Sequence, residues 1–180
     1  VRRSKTILPI NSQADPRDVI AGGPPSSAED AIRDFSRSLP MALLRAREAV
    51  MARFRPMLRE HGITEQQWRV LRALHSAHAP MSASDLAHQT LLSLPSLSRL
   101  LKTLEERRAI GRKAHKDDLR STQISISTTG AKIVLAIAPF AELHYADIAR
   151  SLGMADVERL YALLESCVER LGIHPQHEND

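Results

Sequence analysis

From Leu39 onward, apolar positions return every three or four residues through LPMALLRAREAVMARFRPMLREHG, and Leu43, Val50, Phe54 and Met57 share one stripe. This predicts a first helix over about residues 39–62, closed at His61-Gly62 and bent or locally adjusted at Pro56. Thr64 and Gln67 stand at capping-box spacing, so a second helix opens there and stops near Pro80. Ser82 and Asp85 repeat the signal for a short third helix reaching about Thr90. Ser93 then caps a fourth, SLPSLSRLLKTLEERRAI, with Pro95 in its first turn and Gly111 past its end. Its Leu94, Leu97, Leu101 and Leu104 form a stripe that should face the core.

The rhythm then changes from a helical period to strict alternation. In STQISIS, Ile124 and Ile126 point one way while Gln123, Ser125 and Ser127 point the other, the pattern of a half-buried strand. With IGRKAH on the other side of KDDLR, the segment reads as a β-hairpin. Two further helices, about residues 130–151 and 155–172, complete the chain. The expected fold is mainly α with a small β-hairpin (α+β). Two short helices joined by a tight turn make a helix-turn-helix, and the hairpin directly after them makes it a winged one. Residues 1–36, with GGPPSS in the middle and no sustained period, read as a flexible arm, and 37–180 as one domain.

Composition narrows the classes. A chain that is 43% hydrophobic and 26% charged has the balance of a globular protein, and 3% aromatic favours aliphatic helix packing. No apolar run approaches the roughly 20 residues that cross a bilayer, and the first residues lack a secretory core, so the expected address is cytoplasmic, with no membrane partner. One cysteine, Cys167, supports neither an internal disulfide nor a multi-cysteine zinc site. The net charge of +4 is unevenly spread: residues 91–120 carry eight Lys/Arg against four Asp/Glu, and 121–180 carry four against eight. Positive charge is thus concentrated on the fourth helix and the hairpin, as a phosphate-facing surface requires.

A recognition helix needs small polar groups at its leading end, and an Arg that can pair bidentately with guanine. Ser96, Ser98 and Arg99 meet that need, with Ser84, Ser93, Pro95 and Lys102 completing the expected DNA-facing set on the two helices. At the hairpin tip, His115, Lys116, Asp118 and Arg120 suit a minor groove, where Asp118 would hold the Arg120 guanidinium in position.

The order helix, helix-turn-helix, wing and two terminal helices resembles the MarR family of bacterial transcription regulators. The wing stretch DLRSTQISISTTG is similar to the family's Asp-x-Arg, alternating apolar residues and closing Gly, departing from it at Leu119 and Ser127. ALLRAREAVMARFRP and HGITEQQWRVLRAL more narrowly resemble the homoprotocatechuate-degradation regulators of that family. The resemblance implies a winged helix-turn-helix over about residues 64–129. It also implies homodimerisation through helices at about 39–62 and 130–172, and repression of an aromatic-catabolism operon relieved by an aromatic acid.

The residues offer their own hint of such a ligand. Arg47 and His61 lie on the apolar stripe of the first helix, and burying an unpaired guanidinium costs several kcal/mol. Arg47 therefore needs an anion, either a ligand carboxylate or an interhelical ion pair, with Glu48 too far round the helix to serve. Trp68 would stack on an aromatic ring or pack in the core, and Arg69 beside it adds a second charge. His75, His78 and His88 carry no zinc-binding motif, no glycine-rich phosphate loop is present, and no nucleophile sits in a recognisable motif. The expected protein is a dimeric repressor that reads a palindromic operator in double-stranded DNA, needs no cofactor, and is released by a small aromatic carboxylate. The alternatives are a metal- or oxidant-sensing regulator on the same fold, or a small catabolic enzyme.

Overall fold

A computed structural model of the chain describes residues 38–114 and 122–172. Helix α1 (Leu39–Glu60) is followed by α2 (Glu65–Ser76), strand β1 (Met81–Ser82), α3 (Ala83–Thr90), α4 (Leu94–Glu106), strands β2 (Ile110–Ala114) and β3 (Thr122–Ile126), then α5 (Thr128–Leu152) and α6 (Met154–Leu171). Residues from Arg47 onward form one compact unit, and the opening turns of α1 belong to another.

Local chemistry sets most boundaries. Gly62 takes a left-handed φ of 64° that ends α1, and the full capping box of Thr64 and Gln67 starts α2. The Ser82 hydroxyl accepts from the Asp85 amide at 3.0 Å to begin α3. Ser93 caps α4 in the same manner, with Pro95 in the first turn, where its missing N–H is harmless. Pro56 is carried inside α1 and Pro139 inside α5.

Four expectations need correction. First, α4 ends at Glu106: Arg108 adopts a left-handed φ of 56°, which stops the helix without a glycine, and Gly111 lies in β2. Second, the expected hairpin is present as β2 and β3, but the segment at Met81–Ser82, for which no strand was expected, adds a third strand: the antiparallel sheet is ordered β1-β3-β2, with Met81 pairing Ile124 and Ile110 pairing Ile126. Third, Leu94 is 53% exposed because the first turn of α4 projects past the core, whereas Leu97, Leu101 and Leu104 are buried. Fourth, α5 starts before Gly130: the Ser127 hydroxyl accepts from the Gly130 amide at 3.1 Å and donates to the Arg108 carbonyl at 2.6 Å. Gly130 itself is fixed by space, since a Cβ there would collide with the Ala109 carbonyl oxygen and approach Ile126.

The core lies where α2, α3, α4 and β3 meet the inner ends of α1 and α5. Leu58, Leu71, Leu86, Leu104, Ile124 and Ile137 are almost fully buried within it. On α1, Phe54 and Met57 join this core, but Val50 and Leu43 remain exposed. Helix α6 buries none of its residues. Among the described residues, no helix is long and apolar enough to cross a membrane.

Candidate nucleic-acid interface and ligand cavity

Helices α3 and α4 are joined through Leu91 and Leu92. Leu91 is held at φ 51°, ψ 47°, and the Leu91 and Leu92 amides donate back to carbonyls of the last turn of α3. This tight turn leaves Ser84 and the leading end of α4 exposed: Ser93, Pro95, Ser96, Ser98, Arg99 and Lys102 all face outward. The Ser93 hydroxyl is partly engaged, donating to Ser96 Oγ at 2.9 Å while capping the helix. Among the described residues, Arg99 and Lys102 pair with no carboxylate, unlike most arginines around the cavity described below. Strand β2 of the wing is set against this helix, with Arg112 Nε 3.1 Å from Glu105 Oε2, near enough for charge pairing although the N–H is not aimed at the oxygen. The wing-tip residues expected to reach DNA, His115, Lys116, Asp118 and Arg120, lie outside the described residues.

A cavity of about 430 Å³ opens between α1, α2, α3 and α5. Val50, Met51, Phe54, Trp68 and Ala73 supply apolar walls, and Arg47, Glu65, Arg69, Arg72, Gln89 and Tyr145 supply polar ones. Sequence reasoning anticipated Arg47, Trp68 and Arg69. It missed Glu65, Arg72 and Tyr145, of which Arg72 could have been found from its position four residues after Trp68, on the same helix face. Arg72 sits over the Trp68 ring at 5.7 Å and donates to the Tyr145 hydroxyl at 3.3 Å.

Of the two anions expected for Arg47, the interhelical ion pair is present, with Glu65 of α2, but two parts of the expectation were wrong: the side chain is 45% exposed, and it also pairs with Glu48, at 2.7 Å. A long guanidinium stem folds back to a neighbouring carboxylate that Cβ directions alone place out of reach. His61 is also absent from the cavity lining: its Nδ1 is 2.9 Å from the Met57 carbonyl oxygen and its ring lies 5.5 Å from Phe140. Its amide still donates to the Met57 carbonyl at 3.3 Å in the helical pattern, but the ring packs beside α5 instead of entering the cavity.

Electrostatically the cavity is cationic. Among the described residues, three arginines and one carboxylate residue line it, and Glu65 is shared by Arg47, Arg55 and Arg69. Burial, and then the charge of Arg47, push the Arg69 guanidinium below its ordinary range, so that its charged form is the one an added anion would relieve. Among the described residues, no group of His, Cys, Asp and Glu is arranged to hold a metal ion.

A helix-turn-helix with an exposed polar leading end, backed by a small sheet that forms a wing, defines the winged-helix class of DNA-binding regulators. Residues 61–121 match the model of the MarR family. The chain is 35% identical over 132 residues to the homoprotocatechuate degradative operon repressor of Escherichia coli, covering 73% of this chain and 88% of that protein. Among solved structures, the transcriptional regulator PA4135 superposes with a TM-score of 0.68 at 36% identity, over 77% of this chain and 98% of that one. NadR in complex with 4-hydroxyphenylacetate superposes with a TM-score of 0.66 at 31% identity, over 76% and 96%. The chain belongs to the MarR family and is a transcription regulator, not an enzyme.

Proposed function

We propose that the protein is a cytoplasmic, homodimeric repressor of an aromatic-acid catabolic operon, released from a palindromic operator by a small aromatic carboxylate. The observation that carries the effector class is the cavity, which apolar residues including Trp68 line together with Arg47, Arg69 and Arg72, against one carboxylate, Glu65, among the described residues. Such a site suits a flat ring bearing one negative charge. The names of its relatives agree, since one represses homoprotocatechuate degradation and another was solved with 4-hydroxyphenylacetate.

Dimerisation is supported by α6, where Met154, Leu160, Tyr161, Leu163, Leu164, Val168 and Leu171 are exposed. A surface this apolar needs a cover, and a second copy supplies it with closed symmetry. Two recognition helices then meet successive major grooves about 34 Å apart, through Ser84, Ser93, Pro95, Ser96, Ser98, Arg99 and Lys102, with His115, Lys116, Asp118 and Arg120 of the wing beside them. In this reading residues 37–180 are the regulatory domain and 1–36 an arm. The ligand acts by preferring a conformation whose lobe spacing fits DNA poorly, and shifts the population only by its differential affinity. A gel shift on the upstream intergenic region, titrated with phenylacetates, benzoates and pyridine carboxylates, tests the proposal. No retardation, or retardation that none of the acids relieves, counts against it.

A further inference from the structure

The cavity and the DNA-reading turn share one side chain. Arg69 Nη1 donates to the carbonyl oxygen of Thr90 at 2.8 Å, and its Nη2 donates to Glu65 Oε1 at 3.2 Å. Thr90 is the last residue of α3, and the carbonyls of a helix's last turn have no partner within the helix. The Thr90 hydroxyl cannot compensate, because it donates to Leu86 O at 2.6 Å. Arg69 is therefore an external cap: a cation from α2 placed where the α3 dipole is negative. The capped residue immediately precedes Leu91, whose left-handed backbone turns the chain into the recognition helix.

Arg69 also lines the cavity, as does Gln89 next to Thr90. We propose that Arg69 is a positioning residue shared between the C-terminal end of α3 and the ligand cavity, and that an entering carboxylate draws it off Thr90 and loosens the turn into α4. This rests on reading the cavity as an aromatic-acid site. An ionised carboxylate is a stronger acceptor than a neutral carbonyl and takes both guanidinium N–H groups at once. Loss of the cap leaves the Thr90 carbonyl unpaired and the left-handed Leu91 without its brace, which alters the placement of Ser93 and the leading end of α4. The ligand need not approach DNA to act.

The test is a linkage measurement with 4-hydroxyphenylacetate as the probe. Quenching of Trp68, the only tryptophan, reports filling of the cavity, and anisotropy of a labelled operator gives the DNA Kd with and without the saturating acid. The ratio of the two Kd values is the coupling. In the wild-type protein it should be about tenfold or more. In Arg69→Met, at acid concentrations where quenching shows the cavity filled, it should fall below about twofold, and Arg69→Lys should restore part of it. A merely structural Arg69 would lower stability but leave the ratio at its wild-type value, and that result overturns the proposal. Amide hydrogen exchange on the wild-type protein tests it without a variant: the acid should speed exchange at Leu91 and Leu92, and unchanged protection there also overturns it. If the wild-type protein shows neither quenching nor release with this acid or the others tried, the aromatic-acid reading fails first and takes this inference with it.

Discussion

The hydroxyl of Ser127 donates to the carbonyl oxygen of Arg108 at 2.6 Å, tying the entrance of α5 to the turn that ends the recognition helix. The same oxygen accepts from the Gly130 amide, so one side chain caps a helix and braces a left-handed turn. Ser127→Ala should cost about 1–2 kcal/mol in urea unfolding, at the upper end for an N-cap, while Ser127→Thr should stay within about 0.5 kcal/mol of wild type. Equal midpoints for the Ala and Thr variants would show the cap to be idle.

Leu101 is 3% exposed and Leu94 is 53% exposed, although both lie on one apolar stripe of α4. Leu101→Ala should lose about 2–5 kcal/mol, the usual range for a core leucine, and Leu94→Ala under about 1 kcal/mol. Denaturant midpoints decide this, and similar losses at both sites would place the first turn of α4 in the core after all.

Arg47 lines the cavity and shares Glu65 with two other guanidiniums. Arg47→Ala should raise the acid concentration for half-release of the operator by about tenfold, the loss expected when a charge-assisted contact worth roughly 1.5 kcal/mol is removed. Glu65→Gln should act in the opposite direction by removing the carboxylate that competes for Arg47 and Arg69 at the cavity wall. An unaltered dose response in both variants would dismiss the cavity as the effector site.

The hydrogen bond from Arg55, opposed by some desolvation and assisted by the charges of Arg55 and Arg47, holds the Glu48 carboxyl below its ordinary value of 4.5. A carboxyl lowered in the folded state stabilises that state fully above the unfolded value, and the contribution is lost as pH falls through the folded one. Acidification from about pH 6 to about pH 3.5 should therefore destabilise the wild-type protein more than Glu48→Gln. The difference should shrink in about 0.5 M salt, because the pair is exposed. Superimposed stability curves would leave this ion pair without a role in folding.

What could be read from the sequence was what neighbours in the chain decide. The caps at Thr64, Ser82 and Ser93 are three-residue signals, and all three start helices where that spacing places them. The same logic fails where the partner is distant. Met81 becomes a strand only because Ile124 lies opposite it, and Arg47 finds Glu65 only because α1 packs on α2. The end of α4 was misplaced because the left-handed residue is Arg108, and an arginine gives no compositional sign of that backbone. In the cavity, Arg47, Trp68 and Arg69 were visible as charge beside an aromatic, but that His61 packs on Phe140 and does not line the cavity depends on α5, which is distant in the chain.

Helix α6 fully buries none of its residues within its own chain. If a second copy supplies its cover, its order depends on how many copies are present, and at sufficient dilution the helix loses its lining before the rest of the fold gives way. Scarcity would then silence the regulator without any small molecule, and a cell making too few copies would transcribe as though the inducer were there.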